Sequence, residues 1–75
     1  MPEDKLPCDI VKRSVVISGH ATSVTLEAAF WARLKTIAKT RSTSVSALIA
    51  EIDAENKGRC NLSSALRVYI LGNAV

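Results

Sequence analysis

The chain has little of what most site chemistries require: two cysteines, one histidine and three aromatic residues in 75 positions. Cys8 and Cys60 are too few for a disulfide framework, and a single His leaves no set of zinc ligands. No metal site and no cofactor is therefore expected. His20 has no Ser, Cys or carboxylate near it in sequence, and no nucleophile or base constellation stands elsewhere, so no enzyme activity is expected. Glu51, Asp53 and Glu55 lie two apart in what reads as helix, and residues so spaced do not face one another. They suit a solvated face, or ion pairs to a partner subunit. No apolar run approaches the roughly 20 residues that span a bilayer. The start, MPEDKLPCD, carries acids and two prolines where a signal peptide carries a basic stretch and an apolar core. The expected setting is reducing and cytoplasmic.

What is present is a supply of Ala, Val, Leu and Ile. Apolar residues make up 48% of the chain, which is enough to build a core. At 75 residues that core belongs to one small domain, near the lower limit of what a single core stabilises. The formal charge of +3 is modest, but it is unevenly placed. Lys12, Arg13, Arg33, Lys35, Lys39 and Arg41 occupy the stretch from 12 to 48 against the single acid Glu27, while the other acids sit towards the ends. A basic centre of this kind attracts phosphate, or it is simply a solvated helix face.

Residues 1–11, with Pro2 and Pro7, read as a loose arm, and residues 12–75 as the folded domain. The β-branched stretch RSVVISGHATSVTL predicts extended chain over 13–25, interrupted at Ser18-Gly19. If those two residues make a tight turn, Ile17 faces His20, Val15 faces Thr22 and Ser14 faces Ser23. A kinked, continuous arm is the alternative. Alternation then turns Thr22, Val24 and Leu26 to the core and Ala21, Ser23 and Thr25 outward. A hairpin would add Lys12, Ser14 and Val16 to the outer face.

Three helices are predicted, over 26–40, 44–56 and 62–72. The first carries Phe30, Leu34, Ile37 and Ala38 at helical spacing with Trp31 beside them, Thr25 as its cap and Glu27 in its first turn. Phe30 next to Trp31 suggests a stacking platform for single strands, but their spacing with Leu34 suits a core better. Ser42-Thr43-Ser44 breaks this helix and offers Ser44 as the next cap. The second helix buries Leu48, Ile49 and Ile52 and stops at Lys57-Gly58-Arg59, where Gly58 suits a left-handed position. The third begins at Asn61 or Ser63 and sets Leu62, Leu66, Tyr69 and Ile70 on one side, too short for a membrane helix.

A strand followed by two helices, with little between them, is the order of elements in the ribbon-helix-helix proteins. The segment HATSVTLEAAFWARLKTIAKTRSTSVSALIAEI resembles that family in pattern as well as order. RSVVISGHATSVTLE with a terminal NLSSALRVYIL is similar to a bacterial branch of short ribbon-helix-helix domain proteins. The fold so implied is mainly α with a short N-terminal β element, a homodimer whose ribbon pairs across the dimer axis, extended by a C-terminal helix.

The dimer core would comprise Val24, Leu26, Phe30, Leu34, Leu48 and Ile52. The resemblance implies a DNA-binding regulator, a transcriptional repressor or antitoxin-like module. Ala21, Ser23 and Thr25 would meet base edges, Lys12, Arg13 and Ser14 would add contacts, and Ser44, Val45 and Ser46 would grip phosphate. The small outer residues depart from the family's habit of placing a long polar or basic side chain there, since none offers a bidentate base contact. That departure supports the competing expectation, a dimeric protein-interaction module that keeps the fold without binding DNA.

Overall fold

In the computed structural model, which describes residues 6–73, an antiparallel hairpin is followed by three helices. Strand β1 spans Ile10–Ile17 and strand β2 spans His20–Glu27, paired over all eight positions from Ile10↔Glu27 to Ile17↔His20. Ser18 and Gly19 both hold positive φ, at 52° and 81°, which is the two-residue turn whose twist matches that of paired strands. The kinked-arm alternative is thereby set aside. Beyond the ladder, Ala28 donates its N–H to the Asp9 carbonyl at 2.7 Å, so the pairing runs one step past each strand. The expected arm is shorter than 1–11, since strand begins at Ile10; residues 1–5 lie outside the described part.

Helix α1 spans Ala28–Thr40, two residues later than expected, because pairing with β1 keeps Leu26 and Glu27 extended. Glu27 therefore occupies the cap position, which the sequence assigns to Thr25, and no side chain bonds the helix start. The helix ends where Ser42 takes φ 56°; Thr43 N–H reaches the Ala38 carbonyl and Ser42 N–H the Lys39 carbonyl. This is the paired-bond stop normally given to glycine. Helix α2 spans Val45–Asn56, with Ser44 as its cap, as expected. It stops at Lys57, left-handed at φ 52°, followed by Gly58 at φ 74°. Helix α3 spans Leu62–Gly72, and its start is decided for Asn61, whose side chain accepts from Ser64 N–H at 2.8 Å.

The three helices and the inner face of the hairpin enclose one core. Val15, Ile17, Val24, Leu26, Trp31, Leu34, Ile37, Leu48, Ile49, Ile52, Leu66 and Ile70 are all buried. Trp31, which the spacing sets beside the apolar stripe, lies within it, while Phe30 is only half-buried. The reason is the indole N–H, which donates to the Val11 carbonyl at 2.9 Å and draws Trp31 under β1. Of the residues expected in a dimer core, Val24, Leu26, Leu34, Leu48 and Ile52 are buried within the single chain and Phe30 is half-buried. One edge of β2 pairs with β1 of the same chain, and the sheet has two strands.

Helix α3 is fastened through Arg67 at its middle and Tyr69 just beyond. Arg67 meets the Glu27 carboxylate at 2.9 Å and lies over the Phe30 ring at 5.8 Å. Arg41, at the end of α1, donates to Tyr69 Oη at 2.7 Å and to Glu51 at 3.1 Å, tying the three helices together. Glu51 pulls the Arg41 pKa up, with a smaller contribution from Tyr69. Arg41 is thus engaged inside the chain, and the basic centre has one free cation fewer than its count suggests.

Candidate nucleic-acid interface

The hairpin separates its side chains cleanly. Val11, Val15 and Ile17 of β1 and Val24 and Leu26 of β2 turn to the helices. The outer face carries Lys12, Ser14 and Val16 opposite Thr25, Ser23 and Ala21 respectively. Ala21 and Ser23 are exposed, and Thr25 is half-buried. The three expected base-reading positions thus share one face with Lys12 and Ser14. Arg13 does not join them: it stands on the inner side opposite Val24, with its guanidinium 5.5 Å from the Trp31 ring centre.

The beginning of α2 has its own geometry. Ser44 Oγ accepts from Ala47 N–H at 3.0 Å, and the Leu48 N–H bonds the Ser44 carbonyl. The N–H groups of Val45 and Ser46 have no acceptor among the described residues. They are the unmet donors of the helix start, where the peptide dipoles also concentrate positive potential.

Two open clefts flank that start. One, of about 290 Å³, is lined by Arg13, Ser14, Val15, Trp31, Lys35, Val45 and Ser46. The other, of about 590 Å³, is bordered by Ala32, Lys35, Thr36, Lys39, Ser44 and Val45 among others. Lys35 borders both, and no acid lines either. Lys35 and Lys39 are visible in the sequence only as part of a basic bias; their place beside Val45 comes from the packing of α1 on α2. Three cations and two free N–H groups around one helix start form an arrangement suited to a phosphodiester oxygen.

The one acid of the basic stretch is committed elsewhere. A backbone hydrogen bond, and then Arg67, hold the Glu27 carboxyl below its ordinary value of 4.5, so it stays ionised and neutralised by its partner. Among the described residues, no helix is long and apolar enough to cross a membrane.

Comparison with known proteins agrees with this architecture. A profile of the ribbon-helix-helix domain matches residues 10–74. No curated protein matches the chain. Among solved structures, an uncharacterized protein from Bordetella pertussis Tohama I is similar, with a TM-score of 0.75 and 36% identity. The match covers 87% of this chain and 55% of that one, so this chain spans about half of its neighbour's length.

Proposed function

The chain belongs to the ribbon-helix-helix family, and from that premise we propose that it is a DNA-binding regulator, a repressor or antitoxin-like module. The outer face of the hairpin enters the major groove, and the start of α2 holds the backbone beside it. The observation that carries this reading is the α2 start, where the free N–H groups of Val45 and Ser46 stand among Arg13, Lys35 and Lys39. Phosphate contacts position a protein on the duplex and supply most of its salt-sensitive affinity. Base reading falls to Lys12, Ser14, Ala21, Ser23 and Thr25. Hydroxyls bond several base edges and small methyls meet thymine, so sequence discrimination is modest. Two copies would act as a dimer on adjacent half-sites.

The test is a titration of labelled duplex DNA at two salt concentrations, with the parent and Ser44→Asp. Asp is as good a helix cap as Ser, so the fold is kept. Its added charge repels the phosphate. Binding by the parent should fall steeply with salt, and Ser44→Asp should abolish it while the far-ultraviolet spectrum is unchanged. Equal binding by the two proteins would remove α2 as the clamp.

A second reading, a protein-interaction module, is favoured by one feature of the outer face. Ile10 and Val16 stand there 59% and 61% exposed, without a polar role. Absence of any salt-sensitive duplex binding by the parent would decide for that reading.

A further inference from the structure

Arg41 and Arg67 are held by carboxylates, those of Glu51 and Glu27. Arg13 is held by a neutral ring, that of Trp31. The difference decides what each arginine can still bind. A carboxylate that fixes an arginine also neutralises it. An aromatic face fixes the cation and leaves its charge and its N–H donors for another partner. We propose that Trp31 is a positioning residue for DNA: it holds Arg13 at the cleft beside the α2 start, charged and oriented in advance, as a contact to the phosphodiester backbone. This inference rests on the DNA binding proposed above, and goes beyond it in giving a task to the one tryptophan of the chain.

Trp31 can hold another side chain because it is itself fixed. It lies in the first turn of α1 and is 5% exposed. Its indole N–H donates to the Val11 carbonyl at 2.9 Å. Val11 and Arg13 are two apart in β1 and so project to the same face of the strand. One side chain therefore grips the strand backbone at Val11 and sets its ring beside the next residue on that face. The guanidinium carbon of Arg13 stands over the ring at 5.5 Å from its centre, within the range in which an indole face attracts a cation. The arginine thus has a defined seat in the free protein.

That seat adjoins the free donors of the second helix. Arg13, Trp31, Lys35, Val45 and Ser46 line one cleft of about 290 Å³, and no acid lines it. Three elements meet there: β1 through Arg13, α1 through Trp31 and Lys35, and α2 through Val45 and Ser46. Arg13 pairs with Val24, which is 1% exposed and turned to the core, so it does not share the face of Ala21, Ser23 and Thr25. Its place is with the phosphate contacts and not with the base readers.

The advantage is entropic. An arginine free in solvent samples many rotamers, and gripping a phosphate freezes them. A side chain seated beforehand loses less, which is worth about two- to tenfold in affinity. Phosphates carry no sequence information, so the gain applies to every duplex alike.

The test is a cycle of duplex titrations with the parent, Trp31→Leu, Arg13→Gln and the double variant, each at a temperature where its far-ultraviolet spectrum matches the parent's. Trp31→Leu keeps an apolar side chain in the core but removes the ring, and should weaken binding to every sequence about two- to tenfold. Trp31→Phe, which keeps a ring without the indole N–H, should recover most of that loss. Arg13→Gln should lower the salt slope by about one phosphate contact. Once Arg13 is Gln, Trp31→Leu should have no further effect. Equal losses in both backgrounds would make Trp31 a core residue only, and would overturn the proposal while leaving DNA binding in place. A second measurement holds even where Trp31→Leu does not fold. In the proton spectrum of the parent, the Arg13 methylene signals should be shifted upfield by the indole, and should stay so when duplex saturates the protein. Loss of that shift on binding would show that Arg13 leaves the ring to meet DNA, and would also overturn the proposal. A parent that shows the shift but binds no duplex at any salt concentration would refute the DNA binding itself, and the task of Trp31 with it.

Discussion

Ser42 holds the left-handed backbone that ends α1 at φ 56°, in a position where glycine is the usual occupant. A residue with a Cβ strains there by roughly 1–2 kcal/mol, partly offset by the extra freedom glycine has when unfolded. Ser42→Gly is therefore expected to raise stability by up to about 1 kcal/mol, read as a higher urea midpoint at unchanged slope. Glu27 offers a second test at this scale. Its folded-state pKa lies below the ordinary 4.5 because of its backbone hydrogen bond and Arg67. A lowered pKa contributes stability that is complete above the unfolded value and is lost as pH falls through the folded one. Below about pH 4.5 the parent should lose stability that Glu27→Gln never had, so the two melting curves should converge on acidification. Parallel curves over that range would show that the Arg67–Glu27 pair does not contribute.

Helix α3 extends the strand-helix-helix unit, and its packing explains why the core closes. Leu66 is fully buried and Ile70 is 4% exposed, against α1, α2 and β2. The same side of the helix is marked in the sequence by Leu62, Leu66, Tyr69 and Ile70 at helical spacing. The structure buries Leu66 and Ile70 more deeply than Leu62 and Tyr69, which are half-covered. Leu66→Ala should cost about 2–5 kcal/mol through lost burial and the cavity left behind, measured by urea unfolding. Removal of residues 61–75 should expose Leu26, Leu34 and Leu48 and lead to aggregation. A truncated protein as soluble and stable as the parent would make α3 an appendage to the fold.

At the scale of the molecule, a core closed in one chain changes what association can do. Obligate sharing of a ribbon ties unfolding to dissociation and makes the melting temperature depend on concentration. A chain that closes its core alone would instead join a partner already folded. The melting temperature is therefore expected to hold within about 2 °C over roughly a hundredfold dilution, followed by calorimetry. A shift of many degrees would mean that Val24 and Leu26 are covered by a partner in solution. Lys35→Ala tests the other whole-molecule feature, the meeting of α1 with the α2 start. It should weaken binding to all duplex sequences alike and reduce the salt slope by about one phosphate contact.

The element types were set by the local sequence alone, because periodicity is a property of neighbours in the chain. The β-branched run and the three apolar stripes marked extended chain and three helices, and the register Ile17–His20, Val15–Thr22 and Ser14–Ser23 followed once Ser18-Gly19 was taken as a tight turn over a kinked arm. The cap Ser44 was equally legible, since a cap acts within three residues of itself, while the structure chose Asn61 over Ser63. Tertiary structure alone decided the rest. Whether Ser18 and Gly19 fold β2 back on β1 or leave a kinked arm depends on what the strands pack against, which residue spacing does not express. The start of α1 moved to Ala28 because pairing with β1 outweighed the capping preference of Thr25. Arg13 came to lie over Trp31, and Lys35 beside the α2 start, because both meetings depend on where a helix packs. Long-range packing brings those groups together, and no local pattern of residues records it.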